Sequence, residues 1–230
     1  MTITIQMLAT IPAFHRLQPV TLEALQKYVC VLSYEAGETI YRQGDAPTGL
    51  YALQKGRVKL YRRSGEKTQI IAIVPAQECF GAESLPNETP SPCTAEALTP
   101  VTTIYISPEA LRQLLLEHPD LLVTLLEIVS GRLRQLAILV HDLAFRDVGA
   151  RLARVLLANA ETDGEITSEG FRIRRNLTQQ EIASLVGTAR EVVYRTYKKF
   201  ERQGVLRLTR THIYILDPQK LAEIASQETR

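Results

Sequence analysis

Between Tyr28 and Ile106 the apolar positions fall in short runs. They read YVCVLSY (28–34), ETIYRQGD (38–45), TGLYALQKG (48–56), RVKLYRR (57–63), TQIIAIV (68–74), TAEAL (94–98) and VTTIYI (101–106). The runs are rich in Val, Ile and Tyr and punctuated by glycine, the pattern of half-buried strands. Gly44-Asp45, Lys55-Gly56 and Ser64-Gly65 mark turns, the last a hairpin tip. About eight short strands with regular turns predict a compact barrel or jelly roll. Before them, residues 10–27 read as short helical turns, with Thr21 placed to cap a run beginning at Leu22.

Beyond Ile106 the period changes to that of helices. Ser107-Pro108-Glu109 is a helix start, and ALRQLLLEH runs to Pro119. A longer helix is predicted from Asp120 to Leu143. Leu122, Val129, Leu136 and Leu143 are spaced by seven, and Leu126, Leu133 and Val140 interleave with them. A core-facing stripe drifts toward 3.6 residues, whereas this one holds 3.5, the period of a helix–helix seam. It predicts a homodimer. Asp147 caps a further helix, VGARLARVLLANA, and a domain boundary is placed at residue 145. The polar stretch 161–170 reads as a loop or hairpin turn, followed by a short strand at Phe171–Ile173.

The segment after Asn176 carries the most specific pattern. Thr178 and Glu181 make a capping-box pair, and the helix they open runs to about Leu185. Gly187 is the predicted C-cap, and Thr188 the restart of a helix reaching Phe200. Two short helices joined by a tight glycine turn form a helix-turn-helix, whose second helix enters the DNA major groove. Ile182, Ala183, Leu185, Val186, Val193 and Tyr197 are placed to hold the pair together. Arg190, Glu191, Tyr194 and Arg195 face outward as base readers. Arg donates two bonds to guanine and Glu accepts from cytosine N4, so one acid among arginines suits a reading helix. Thr178, Thr188, Lys198, Lys199, Arg202 and Arg210 are expected on the DNA backbone. VLRLTRTHIYIL (205–216) alternates like a β-hairpin wing, with Arg207, Arg210, Thr211 and His212 available to touch phosphate.

Charge sharpens this division. The 230 residues have a net charge of only +2. Residues 1–144 hold 12 Lys/Arg against 14 Asp/Glu, a net of −2, and residues 145–230 hold 15 against 11, a net of +4. Within 172–210 the balance is 10 against 3, a net of +7, which marks a localised polyanion site. Three cysteines, Cys30, Cys79 and Cys93, fit a reducing cytosol. The start MTITIQMLATIP has no basic leader pattern, and no run of 18 uncharged apolar residues occurs. The expectation is a cytoplasmic protein with no membrane partner.

Over nearly its full length the chain resembles the CRP/FNR family of bacterial transcription regulators. LAFRDVGARLARVLL (143–157) is similar to the family's hinge and first DNA-domain helix, and LTQQEIASLVGTAREVVYR (177–195) to its helix-turn-helix. YRQGD (41–45) with GLYALQKGRVKLY (49–61) resembles its β-roll. The resemblance implies an α+β chain. Residues 1–119 would form a cyclic-nucleotide-binding-like β-roll sensor, 120–144 a dimerisation helix, and 145–230 a winged helix-turn-helix. It aligns Arg190, Glu191 and Arg195 with the base-reading positions of the catabolite-activator branch, which reads TGTGA in each half-site. Tyr194 departs from the small residue usual there.

The effector site departs further. Cyclic-AMP members carry an FGE segment whose glutamate takes the ribose, and about ten residues on an Arg-Ser or Arg-Thr pair whose arginine takes the phosphate. Here the segment is Phe80-Gly81-Ala82-Glu83-Ser84, and the later stretch around Cys93 and Thr94 has no arginine. Those residues are the candidate effector pocket. A cyclic phosphate without a cationic partner loses its strongest bonds, so cyclic AMP in the usual mode is not expected. No other cofactor or metal is expected, since cysteines are too few for an iron–sulfur cluster and the four histidines are scattered. A Cys79/Cys93 redox switch is an alternative effector. No enzymatic constellation is present. The expected function is a homodimeric DNA-binding regulator. As an activator it has RNA polymerase as a further partner; the alternative is a repressor of the same family.

Overall fold

The computed structural model describes residues 3–46, 48–84 and 89–228, arranged in two compact units. The first takes Met1–Ser64 and Ile71–Leu136, the second Gly65–Ile70 and Ala137–Arg230. The division falls inside the long helix, nine residues before that helix ends.

Among the described residues, short helices α1 (Ile5–Ala9) and α2 (Pro19–Tyr28) lead into eight strands, all within the first unit except residues 67–70 at the start of the fifth, which fall in the second. These are β1 (Val29–Tyr34), β2 (Thr39–Tyr41), β3 (Leu50–Lys55), β4 (Arg57–Ser64), β5 (Lys67–Pro75), β6 (Cys79–Phe80), β7 (Thr94–Ala97) and β8 (Val101–Ile106). They form two four-stranded sheets, ordered β1-β8-β3-β6 and β2-β7-β4-β5. Alternation sets which side chains are inside. Val58 and Leu60 are buried opposite Ala97 and Ala95, while Lys59 faces Glu96 across the same ladder and pairs with it at 2.7 Å. The inner faces bury Tyr41, Tyr51, Leu53, Val58, Leu60, Val74, Phe80 and Ala95 as one cluster. A second cluster joins the outside of the β8–β3 pair to the helices through Leu8, Phe14, Leu25, Leu50, Ile104, Leu111, Leu114 and Leu121.

Helix α3 (Pro108–Glu117) begins as expected, the Ser107 hydroxyl accepting from the Ala110 N–H. Helix α4 (Asp120–Phe145) is two residues longer than its sequence pattern predicts. Thr21 is not a cap: α2 begins at Pro19 behind Gln18, and the buried Thr21 hydroxyl donates instead to the Asp120 carboxylate at 2.8 Å. Thr21 is the third residue of α2, inside the helix rather than ahead of it, and its hydroxyl is free to donate a charge-assisted bond to the carboxylate.

The second unit contains α5 (Val148–Asp163), β9 (Glu165–Thr167), β10 (Gly170–Arg174), α6 (Gln179–Val186), α7 (Arg190–Arg202), β11 (Leu206–Leu208), β12 (His212–Ile215) and α8 (Pro218–Ser226). Its sheet is ordered β11-β12-β10-β9. Asp147 caps α5, accepting from the Ala150 N–H at 2.7 Å. The stretch 161–170 is thus part helix, part hairpin. One core unites the unit through Leu152, Leu156, Ile173, Ile182, Val186, Val193, Tyr197, Phe200, Ile213 and Leu221.

Candidate nucleic-acid interface and sensor pocket

The turn between α6 and α7 fixes how the second helix is presented. The capping box closes in full: Glu181 N–H donates to the Thr178 hydroxyl at 3.1 Å, and Thr178 N–H donates back to Glu181 at 2.9 Å. Gly187 ends α6 in the left-handed region, with φ 68°. A Cβ there would lie 2.5 Å from a Leu143 methyl, which could shift, so it is the left-handed backbone that favours glycine. Thr188 does not start the next helix. Its N–H bonds the Ala183 carbonyl to complete the turn, and α7 starts at Arg190 behind Ala189. Six residues of the pair, Ile182, Ala183, Val186, Val193, Tyr197 and Phe200, are buried in the shared core.

The opposite face of α7 is exposed and carries Arg190, Glu191, Tyr194, Arg195, Lys198, Lys199 and Arg202. All four expected base readers therefore share it. Lys198 is committed to Glu201 at 2.8 Å, and Arg202 donates to the Lys198 carbonyl. Among the described residues, Arg190, Glu191, Arg195 and Lys199 make no ion pair or side-chain hydrogen bond. Glu191 and Arg195 are four apart, a spacing at which opposite charges on a helix readily pair, yet they remain open.

The wing is partly committed. Arg207 pairs with Glu169 at 2.5 Å and lies over the Tyr214 ring, 4.6 Å from its centroid. Arg172 pairs with Glu165, and Arg175 donates to the Thr209 carbonyl at the tip of the β11–β12 turn. The Thr211 hydroxyl is 2.9 Å from His212 Nδ1. Arg210 is exposed at the same tip.

In the first unit, the candidate effector residues gather where β6 meets β3. Phe80 stacks on Tyr51 at 4.9 Å and 12°, with Tyr41 tilted beside them at 6.2 Å. Gly81 has φ 92°, and a Cβ there would lie 2.5 Å from the Gly49 carbonyl oxygen. Cys93 is buried and Thr94 half-buried. The side chain of Ser84 lies outside the described residues.

The residue that sequence reasoning missed is Arg132. It projects from α4, only 8% exposed, with its Nε 3.6 Å from Glu83 Oε1 and its Nη1 donating to Gln135 at 2.6 Å. That Nε has no hydrogen-bond partner among the described residues. The pocket region therefore does have a cation, supplied from another element. Linear spacing does not reveal it, because 49 positions separate Glu83 from Arg132. A lone Gly-Arg-Leu-Arg stretch in a helix has no signature of its own.

Cys79 and Cys93 are both free and buried. Burial, with the Glu78 charge second, pushes the Cys79 thiol up to about 12. Burial, with Glu83 second, pushes Cys93 up to about 11. They belong to different core clusters. Thiols so far from ionising are poor nucleophiles at neutral pH.

Along α4, Leu121, Thr124, Leu125 and Arg132 are buried within the first unit. Leu122, Leu126, Val129, Leu133, Val140 and Leu143 are exposed, and Leu136 is half-buried. At 100° per residue these seven fall within one arc beside the buried face. So long an apolar stripe left in water marks an interaction surface. Among the described residues, no group of three or more His, Cys, Asp or Glu is placed to hold a metal, and no helix is long and apolar enough to cross a membrane.

Residues 31–118 match the cyclic nucleotide-binding domain family, and residues 150–224 the Crp-like helix-turn-helix domain family. A CRP-like cAMP-activated global transcriptional regulator of Mycobacterium tuberculosis is 30% identical over 221 residues, spanning 96% of this chain and 99% of that protein. A global nitrogen regulator of Synechocystis sp. is 32% identical, spanning 84% of this chain and 87% of its own. A solved structure of a CooA mutant from Carboxydothermus hydrogenoformans superposes with a TM-score of 0.75 at 24% identity, covering 89% of this chain and 90% of that one.

Proposed function

Because this chain belongs to the CRP/FNR family of transcription regulators, we propose that it binds an inverted repeat with TGTGA-like half-sites as a homodimer and activates transcription. Residues 1–119 serve as the sensor, 120–144 as the dimerisation helix and 145–230 as the DNA-binding domain. The observation that carries this reading is the unpaired state of Arg190, Glu191 and Arg195 on one exposed face of α7. Side chains that do not neutralise one another keep their hydrogen-bonding capacity for base edges. Arg190 and Arg195 then donate to guanine O6 and N7, and Glu191 accepts from cytosine N4. Thr178, Thr188, Lys198, Lys199, Arg202 and Arg210 are assigned to phosphate, Lys198 exchanging its bond to Glu201 for it.

Selection of bound sequences from random DNA, followed by Arg195→Ala on a panel of single-base variants, tests the assignment. Loss of a bidentate reader costs about 1–3 kcal/mol and relaxes preference at one base pair. A uniform loss across the panel makes Arg195 a phosphate contact instead. Moving the selected site relative to a promoter separates activation, with RNA polymerase as the partner, from repression.

A second reading concerns the effector. The relative from M. tuberculosis is named as cAMP-activated. In this chain residues 84–96 contain no arginine, and the buried cation at Glu83 is Arg132. We propose that cyclic AMP in the usual mode is not the effector and that an anion of different shape is held by Arg132. Calorimetric titration of cyclic AMP into wild type and Arg132→Gln, with DNA affinity measured beside it, tests this. Micromolar binding that switches on DNA affinity refutes it.

A further inference from the structure

Tyr194 is the one uncharged side chain on the exposed face of α7. Arg190 precedes it by four residues and Glu191 by three, so all three side chains stand on neighbouring ridges of the same helical turn. The residue is half exposed. Lys198 Nζ lies 5.9 Å from the ring centroid, within range of a cation–π contact. Lys198 is held by Glu201 at 2.8 Å, and the other oxygen of Glu201 accepts the Leu208 N–H at 3.0 Å. A relay thus runs from the β11 backbone through Glu201 and Lys198 to the tyrosine ring. A ring positioned before binding loses little entropy on contact.

We propose that Tyr194 is a specificity-determining residue that packs its ring against the C5-methyl of a thymine next to the bases read by Arg190 and Glu191. This rests on the reading of α7 as the base-reading helix. Thymine's methyl is the one apolar group that any base displays in the major groove. An aromatic ring fixed among base readers covers the polar edges of other bases without replacing their hydrogen bonds, and it disfavours them for that reason. Lys198 occupies one side of the ring, which leaves the remaining apolar surface for the methyl.

The test uses the full-length protein and the DNA motif it enriches from a random pool. Each thymine of that motif is replaced in turn by deoxyuridine, which lacks only the methyl. Affinities are measured for wild type, Tyr194→Phe and Tyr194→Ala, with circular dichroism to verify folding. At one position the substitution is expected to weaken wild type and Tyr194→Phe about fourfold per copy of the position, the value of one buried methyl. Tyr194→Ala is expected to be indifferent there. Equal sensitivity in Tyr194→Ala overturns the proposal. So does a loss in Tyr194→Phe as large as in Tyr194→Ala, which assigns the contact to the hydroxyl. Failure of wild type to enrich any sequence is a different result: it removes base reading by α7 altogether, and this inference with it.

Discussion

Leu133 lies midway along the α4 stripe and is 66% exposed, which makes it the cleanest probe of the dimer seam. Leu136 is half-buried in the monomer, so a change there mixes folding with association. Burying a whole leucine side chain is worth about 1.5–3 kcal/mol, and Leu133 has about two-thirds of its surface left to bury, or about 1–2 kcal/mol. A two-fold interface counts the residue twice. Leu133→Ala therefore weakens the dimer by about 2–4 kcal/mol, a rise of roughly 30- to 700-fold in its dissociation constant. The monomer changes by about 0.5 kcal/mol or less, because the site is exposed and alanine favours helix. Leu133→Asp adds like charges facing each other in a dry seam and abolishes association at micromolar concentration. Sedimentation velocity over a concentration series gives the constant, a thermal melt by circular dichroism verifies the fold, and a DNA shift assay on the same sample reads operator binding. Half-sites a helical turn apart need both recognition helices at once, so DNA binding falls with the dimer. A dissociation constant within threefold of wild type, with Leu133→Asp still binding DNA, places the seam elsewhere.

Three further outcomes follow from particular side chains. Iodoacetamide at neutral pH should modify exposed Cys30 alone, with Cys79 and Cys93 reacting only on unfolding; intact-protein mass spectrometry counts the adducts, and rapid double labelling would revive the redox reading. Asp142 accepts from Arg146 and Arg154, each at 2.9 Å, so Asp142→Ala should lower the stability of the second unit by about 1–3 kcal/mol in a urea titration. Asp120 is pushed up by partial burial, but bonds from the Gln18 N–H and the Thr21 hydroxyl outweigh this and hold its carboxyl below the ordinary 3.8; its stabilisation is full above that value and is lost as pH falls through the lowered folded one, so Asp120→Asn should destabilise at pH 7 and match wild type in acid.

What was legible in the chain was local. Short Val-, Ile- and Tyr-rich runs with glycine punctuation predict the β-roll strands, because those residue types suit a pleated, half-buried surface. The capping box at Thr178 and the left-handed stop at Gly187 are legible because each is closed within a few residues. Misses occur where a distant group intervenes. Thr21 looks like a cap, but α2 begins two residues earlier at Pro19 and the hydroxyl serves Asp120, 99 positions away. β6 has two residues, too few to show a period, and exists because Tyr51 and Ala52 of β3 supply its ladder. Arg132 gains its meaning from Glu83 only once α4 is packed on the first unit's core.

The basic window 172–210 shows why charge points to a region but not to its working residues. A net of +7 locates the polyanion site, yet the fold divides those cations unequally. Arg172 and Arg207 are bound by Glu165 and Glu169, acids just outside the counted window. Arg175 is spent on a carbonyl of the wing tip, and Lys198 on Glu201. The cations left open on α7 include Arg190, Arg195 and Lys199, and the acid left open beside them is Glu191. An ordinary solvated helix surface gains by closing the pair four residues apart. Holding it open leaves a donor and an acceptor four residues apart on the same exposed face, both available to base edges. Local excess of charge then brings the chain to DNA, while the unpaired residues within that excess decide where on the DNA it stays.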